Sequence, residues 1–218
     1  IGYDARGAIT TSHYKVLIGQ DAGKSITSGA GRSVLIGTFA GDAQTTSDYN
    51  VAIGYLAMTD NQVGSDNVVL GGNAGNKLLG PENTIVGTYA GDALTTSSGS
   101  VVIGNNALTT ATTDKYGVAI GFEAMKLSPA GLALETTIAI GYRAMYGAGA
   151  TSGISGNVAI GSSAGYNITS GGNNVFVGYN AAYNVTTGGK NTIVGRHAGN
   201  KLGAGSEDTY IGYAAGYY

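Results

Sequence analysis

The chain has 218 residues, of which 39 are glycine, 15 tyrosine, 2 proline and none cysteine or tryptophan, with 11% charged residues and a net charge of −2. This composition excludes collagen, which needs glycine at every third residue with abundant proline, and it excludes disulfides, thiolate metal sites and cysteine nucleophiles. It lacks the basic footprint of nucleic-acid binding, and no apolar run reaches the roughly 18 residues of a membrane-spanning helix.

The chain is an internal repeat throughout. An aliphatic-Gly pair returns at Gly2, Gly19, Gly37, Gly54, Gly71, Gly87, Gly104, Gly121, Gly141, Gly161, Gly178, Gly195 and Gly212, most often 17 residues apart. Three residues after each anchor stands alanine: Ala5, Ala22, Ala40, Ala57, Ala74, Ala90, Ala107, Ala124, Ala144, Ala164, Ala181, Ala198 and Ala215. A β-branched residue stands three before every anchor from Gly19 onward, and Ile, Val or Leu stands one before. Positions −3 and −1 share one face of a strand, because side chains alternate with a period of two. Glycine at the strand's end suits a bend or a close backbone approach. Alanine at +3 marks an inward place with room for a methyl. Position +4 is usually glycine, or else a larger apolar residue (Met58, Leu108, Met125, Met145); Arg6 and Ala182 are exceptions. Apolar residues return at +7, as at Ile9, Ile26, Leu78, Leu94, Ile168, Val185 and Leu202, marking a second inward stretch.

Turn chemistry keeps the same register. Asparagine stands four before the anchor at Asn50, Asn67, Asn83, Asn157, Asn174 and Asn191, with Asp208 its analogue. Stacked coils place these amides in a ladder. The other turn is rich in Thr, Ser and Gly, as in Thr45-Thr46-Ser47. The pattern predicts an all-β chain: one parallel β-solenoid or β-roll over residues 1–218, with about 12–13 coils of ~17 residues. The two 20-residue intervals predict loop extensions near Ser128-Pro129-Ala130-Gly131 and Gly147-Ala148-Gly149-Ala150. Neither end carries a polar cap, which predicts continuation into other domains or contact with other chains.

The unit Asn50-Val-Ala-Ile-Gly-Tyr-Leu-Ala-Met58, repeated as Asn157-Val-Ala-Ile-Gly-Ser-Ser-Ala-Gly165, resembles the Thr-Ala-Ile-Gly-Tyr-x-Ala-Leu repeat of phage tail fibres and bacterial tail-fibre-like proteins. It is also similar, at a longer period, to the Val-Ala-Ile-Gly repeat of trimeric autotransporter adhesin heads. The resemblance covers the whole chain. It implies a homotrimeric extracellular fibre, on a virion tail or a bacterial surface, that serves attachment to a cell-surface glycan or protein receptor bound through other domains. Trimerisation also has an argument from the residues. Position −2 is apolar in many coils (Leu17, Leu35, Val69, Ile85, Val102, Phe176, Ile193, Tyr210) and faces opposite to −3 and −1. A strand apolar on both faces is usually covered on both, one face inside the coil and the other against neighbouring chains.

Enzymatic chemistry finds little purchase, and no enzyme activity, cofactor, metal, nucleic-acid partner or membrane insertion is expected. His13 and His197 lie in different parts of different repeats; His197 falls at +2 with Asp4, Asp21, Asn73, Asn106 and Asn180, which reads as an exposed polar slot. The six-residue grid of hexapeptide acyltransferases is absent, as are the clustered charges of a pectate-lyase-like face and the aspartate spacing of a calcium nonapeptide. Gly23-Lys24-Ser25 lacks the first P-loop glycine, since Ile18 stands there. Thr10, Thr27, Thr45, Thr95, Thr112, Thr169 and Thr186 align at +8, but Gln62, Leu79, Pro129, Gly149 and Gly203 interrupt the flat array that ice binding needs. Tyr3, Tyr55, Tyr142, Tyr179 and Tyr213, with Phe122, recur at +1; stacking between coils or across chains is favoured over sugar binding. Asn167-Ile-Thr169 and Asn184-Val-Thr186 fit the glycosylation sequon but are discounted in a bacterial or viral setting. The residues expected to carry function are thus the glycine and alanine anchors and the Val-x-Ile strands. The alternatives are a secreted filament whose subunits stack end to end and, less favoured, an ice-binding protein.

Overall fold

The computed structural model describes residues 1–5, 14–27, 31–128, 134–147 and 154–217. The loop extensions expected around residues 129–131 and 148–150, and the expectations at Arg6, Ile9, Thr10 and His13, lie outside the described residues. The strands are β1 (Val16–Ile18), β2 (Val34–Ile36), β3 (Val51–Ile53), β4 (Val68–Leu70), β5 (Thr84–Val86), β6 (Val101–Ile103), β7 (Asp114–Lys115), β8 (Val118–Ile120), β9 (Leu134–Glu135), β10 (Ile138–Ile140), β11 (Val158–Ile160), β12 (Val175–Val177), β13 (Thr192–Val194) and β14 (Thr209–Ile211). No helix occurs among the described residues.

Twelve of these strands form one sheet in which each pairs in parallel with the strand one coil on. The register is the sequence repeat itself: Val34 lies beside Val51 and Ile36 beside Ile53. Eleven steps of ~4.8 Å give a rod roughly 53 Å long. The expected parallel β-solenoid is therefore present, with about eleven turns between its first and last strands. Strands β7 and β9, which the repeat did not announce, form a small second sheet at the neighbouring turn.

Why each coil closes as it does follows from its glycines and alanines. The anchors form a column in which each packs on the next. A Cβ at Gly104 would lie 2.3 Å from the Gly121 carbonyl oxygen, and its φ of +136° lies where side chains are strained. The +2 residues beyond the anchors are left-handed as well, as at Asp21, Asn73, Asn106 and His197. Asn and Asp tolerate this conformation best, which explains their recurrence there. The slot is not uniformly exposed: Asp21 and Glu123 occupy it and are buried.

The +3 alanines point inward and are buried in the coils from Ala5 to Ala198; only Ala215, in the last coil, is half-buried. The −2 side chains (Leu35, Val69, Ile85, Val102, Phe176, Ile193) fill the interior, so −2 is the core face of the strand and −3 with −1 is the outer one. Position +7 completes the core through Ile26, Leu78, Leu94, Ile168 and Val185. Gln44 and Asn61 take the same inward place in consecutive coils, fully buried, and their amides make no hydrogen bond among the described residues.

Volume is conserved coil by coil. Where +4 is glycine, +7 is usually large: Gly75 with Leu78, Gly91 with Leu94, Gly165 with Ile168. Where +4 is Met or Leu, +7 shrinks: Met58 with Asn61, Leu108 with Ala111, Met125 with Ser128. Contact explains the exchange, since a Cβ at Gly91 would lie 2.7 Å from Leu94 Cδ1. Such interiors tolerate volume-conserving swaps and resist added methylenes. Ala107→Leu adds volume to a fully buried site without compensation, so it is expected to cost about 1–3 kcal/mol. Thermal or denaturant unfolding checks this, and unchanged unfolding would show that the interior has slack.

Candidate functional site

The predicted amide ladder is the best-ordered polar feature, and it is buried. Asn67 donates its amide N–H to Asn50 Oδ1 (3.0 Å), and Asn83 donates to Asn67 Oδ1 (2.9 Å). Each side-chain Nδ2 donates to a carbonyl of the following coil: Asn50 to Gly64 O (2.8 Å), Asn67 to Gly80 O (3.0 Å) and Asn83 to Ser97 O (3.0 Å). A second run repeats this from Asn157 through Asn174 and Asn191 to the amide of Asp208. The accepting carbonyls belong to position −7, a second close-approach column that the sequence reading missed. A Cβ at Gly80 would lie 1.7 Å from Ser97 O. The signal was available: Gly-x-x-Asn recurs at Gly64–Asn67, Gly80–Asn83, Gly171–Asn174 and Gly188–Asn191.

Aromatic side chains stack along the rod. Tyr146, Tyr166 and Tyr183, all at +5 in consecutive coils, form a column with centroids 5.0 and 4.8 Å apart and nearly parallel rings. This column was also missed, although aligning the coils exposes it. Burial, followed by the neighbouring Tyr183, holds the Tyr166 hydroxyl above the usual phenol range. Phe122 stacks on Tyr142 at 5.6 Å. In these stacks the ring faces are turned toward one another, whereas of the other +1 aromatics Tyr3, Tyr55 and Tyr213 stand exposed. Arg143 lies over the rings of both Tyr142 and Tyr146. Its Nε is 2.7 Å from Glu123, which also pairs with Lys126 at 2.7 Å. The Lys126 and Arg143 partners hold the Glu123 carboxyl below the usual carboxylate range.

His197 meets the edges of Tyr179 and Tyr217. No group of three or more His, Cys, Asp or Glu side chains is placed to hold a metal among the described residues. No helix of the described residues is long and apolar enough to cross a membrane. Five of the +8 threonines spend their hydroxyl protons within the chain: Thr27 donates to Thr45 O, Thr45 to Gln62 O, Thr95 to Thr112 O, Thr169 to Thr186 O and Thr186 to Gly203 O. That use holds the hydroxyls along the rod, as turn chemistry requires.

The outer face of the twelve-stranded sheet is an extended surface. Its two columns, −3 and −1, run from Val16 and Ile18 to Thr209 and Ile211 and hold only Val, Ile, Leu or Thr. They stay partly open to solvent: Val16 is 43% exposed, Ile53 38% and Ile160 40%. At three residues per strand the strip measures roughly 10 Å by 53 Å, about 500 Å². That is at the upper end of the apolar patches that monomeric soluble proteins carry.

No protein-family model, curated protein or solved structure matches the chain.

Proposed function

We propose that this chain is a rod segment of a non-enzymatic attachment fibre, a homotrimer outside the cell on a virion tail or bacterial surface. The observation that carries the reading is the uncharged, largely aliphatic outer face of the sheet, interrupted only by Thr84, Thr192 and Thr209. Twelve coils place no charged residue at −3 or −1, although a solvated face would tolerate one anywhere. A parallel sheet is normally covered on both faces, and the inner face already packs on the core. The best cover for a surface with a ~4.8 Å repeat is another surface with that repeat, which a second and third copy supply. Closed cyclic assembly makes such contacts finite. The rod's work is mechanical: a stiff scaffold of stacked coils holds the part of the fibre that meets a cell-surface glycan or protein at a distance from the particle or cell. The resemblance of the Val-Ala-Ile-Gly-x-x-Ala unit to tail-fibre repeats supports the same reading.

Two observations test it. Negative-stain images of the isolated chain are expected to show discrete rods; unlimited filaments would contradict the closed trimer. Ile103→Lys puts a charge on the outer column of β6 without touching the core. It is expected to release folded monomers, with the β-sheet circular-dichroism signal retained and the mass in light scattering reduced. An unchanged mass would place the contact elsewhere.

A further inference from the structure

The amide ladder has a gap in the middle of the rod, and an acid fills it. Between Asn83 and Asn157 the ladder position is held by Ser100, Gly117 and Thr137. Ser100 keeps the incoming bond by donating its amide N–H to Asn83 Oδ1 at 3.1 Å. Thr137 keeps the outgoing one, donating Oγ1–H to Ile154 O at 3.1 Å. Gly117 has no side chain to do either. Its place is occupied by Asp114 from three residues earlier in the same coil: a Cβ at Gly117 would lie 2.3 Å from Asp114 Oδ2 and 2.5 Å from Oδ1. The usual order of glycine at −7 and a polar residue at −4 is thus reversed, Asp114–Gly117 against Gly80–Asn83 or Gly205–Asp208.

Asp114 is 1% exposed, and neither carboxyl oxygen has a hydrogen-bond partner among the described residues. The ladder residues of the adjacent coils, Ser100 and Thr137, are uncharged. The charged side chains nearest in sequence and in strand pairing, Lys115 and Glu135, stand on the exposed side of β7 and β9. Among the described residues no salt bridge reaches the acid.

We propose that Asp114 is a proton-binding rung: in its neutral form the carboxyl replaces the amide missing at Gly117, and on ionisation the rod loosens between β6 and β10. A neutral carboxyl offers one O–H donor and acceptor oxygens, as an amide offers donor and acceptor, whereas a carboxylate only accepts. Burial pushes the Asp114 carboxyl up to about 6. An acid raised in the folded state above its ordinary 3.8 binds more protons folded than unfolded in that window. Stability therefore falls as pH rises from about 4 to about 6 and is level above.

The test compares wild type with Asp114→Asn and with the double variant Asp114→Gly, Gly117→Asn, which rebuilds the Gly-x-x-Asn order. Hydrogen exchange of the amides around residues 114–120 is read at pH 7.5 and pH 4.5, each variant against wild type at the same pH. At pH 7.5 at least one variant is expected to be more protected than wild type, by up to about a hundredfold. At pH 4.5 the difference narrows to within about tenfold. A difference of equal size at both pH values, or no gain in protection at pH 7.5 from either variant, overturns the proposal. The outcome does not depend on whether the rod is a trimer.

Discussion

Gly104→Ala is expected to cost at least about 4 kcal/mol, enough to prevent the rod from forming around β6. Two penalties add at this site. The backbone at φ +136° is a region that only glycine enters without strain, and the new Cβ would sit 2.3 Å from the Gly121 carbonyl oxygen. Neither can relax alone. Moving the Cβ away means separating two coils, and that breaks the Gly121 N–H to Ile103 O bond of 2.7 Å together with its neighbours in the ladder. The effect should recur at Gly54, Gly71, Gly87, Gly121, Gly141, Gly161, Gly178 and Gly195, each of which packs on another anchor or on the residue beside it or, for Gly195, on Gly212. It should be weaker at Gly212, where nothing lies within 4 Å of the added carbon. Chemical denaturation of Gly104→Ala and Gly212→Ala side by side checks this, and equal losses at both would remove the stacking argument.

Asn67→Ala is expected to cost about 2–4 kcal/mol, since a buried polar group left without a partner loses about 1–3 kcal/mol and Gly80 O keeps only a long bond of 3.4 Å from Asn83 Nδ2. The Asn83 N–H loses its acceptor, Gly80 O loses the Asn67 Nδ2 donor, and Asn83 Nδ2 loses one of its acceptors. The loss should propagate, because every Asn in the run both receives from one coil and gives to the next. Asn67→Asp separates the two halves of the role. It keeps the acceptor oxygen and the shape and removes the donor, so it should be unstable at neutral pH and partly rescued in acid. Circular dichroism melts across pH follow both variants. A loss of under about 1 kcal/mol for Asn67→Ala, the level of an ordinary surface change, would mean that the ladder is ornamental to the fold.

Much of the rod was legible because the repeat is also the register. Thirteen Ile-Gly-type anchors set out in the sequence become twelve paired strands, and the Asn column at −4 becomes the ladder. What the repeat could not supply was depth. Apolar residues stand on both faces of each strand, so periodicity alone could not say that Leu35 and Phe176 point inward while Val34 and Ile36 face out. The exchange of volume between +4 and +7 was visible as two separate lists, Gly75 or Met58 and Leu78 or Asn61, but it becomes a rule only when both are seen to share one cavity. Asp114 escaped for a different reason. A lone acid in a turn reads as solvated, and its burial appears only once the coils are stacked, with Lys115 bridged to Ser98 on one side and β7 paired to β9 on the other. The Tyr146–Tyr166–Tyr183 column lies at +5, outside the anchor-centred positions, and emerges when consecutive coils are laid over one another.

The glycine-rich, charge-poor composition follows from these parts. Glycines line two columns where coils approach too closely for a side chain. Amides and hydroxyls satisfy the turns without ions, and a whole sheet face is left without charge. That last feature is the centre of the functional reading, and the mass of the folded chain in solution tests it most directly. Sedimentation equilibrium at neutral pH should give three times the chain mass of 21.7 kDa. A folded species that stays at a single chain mass at every concentration would contradict it.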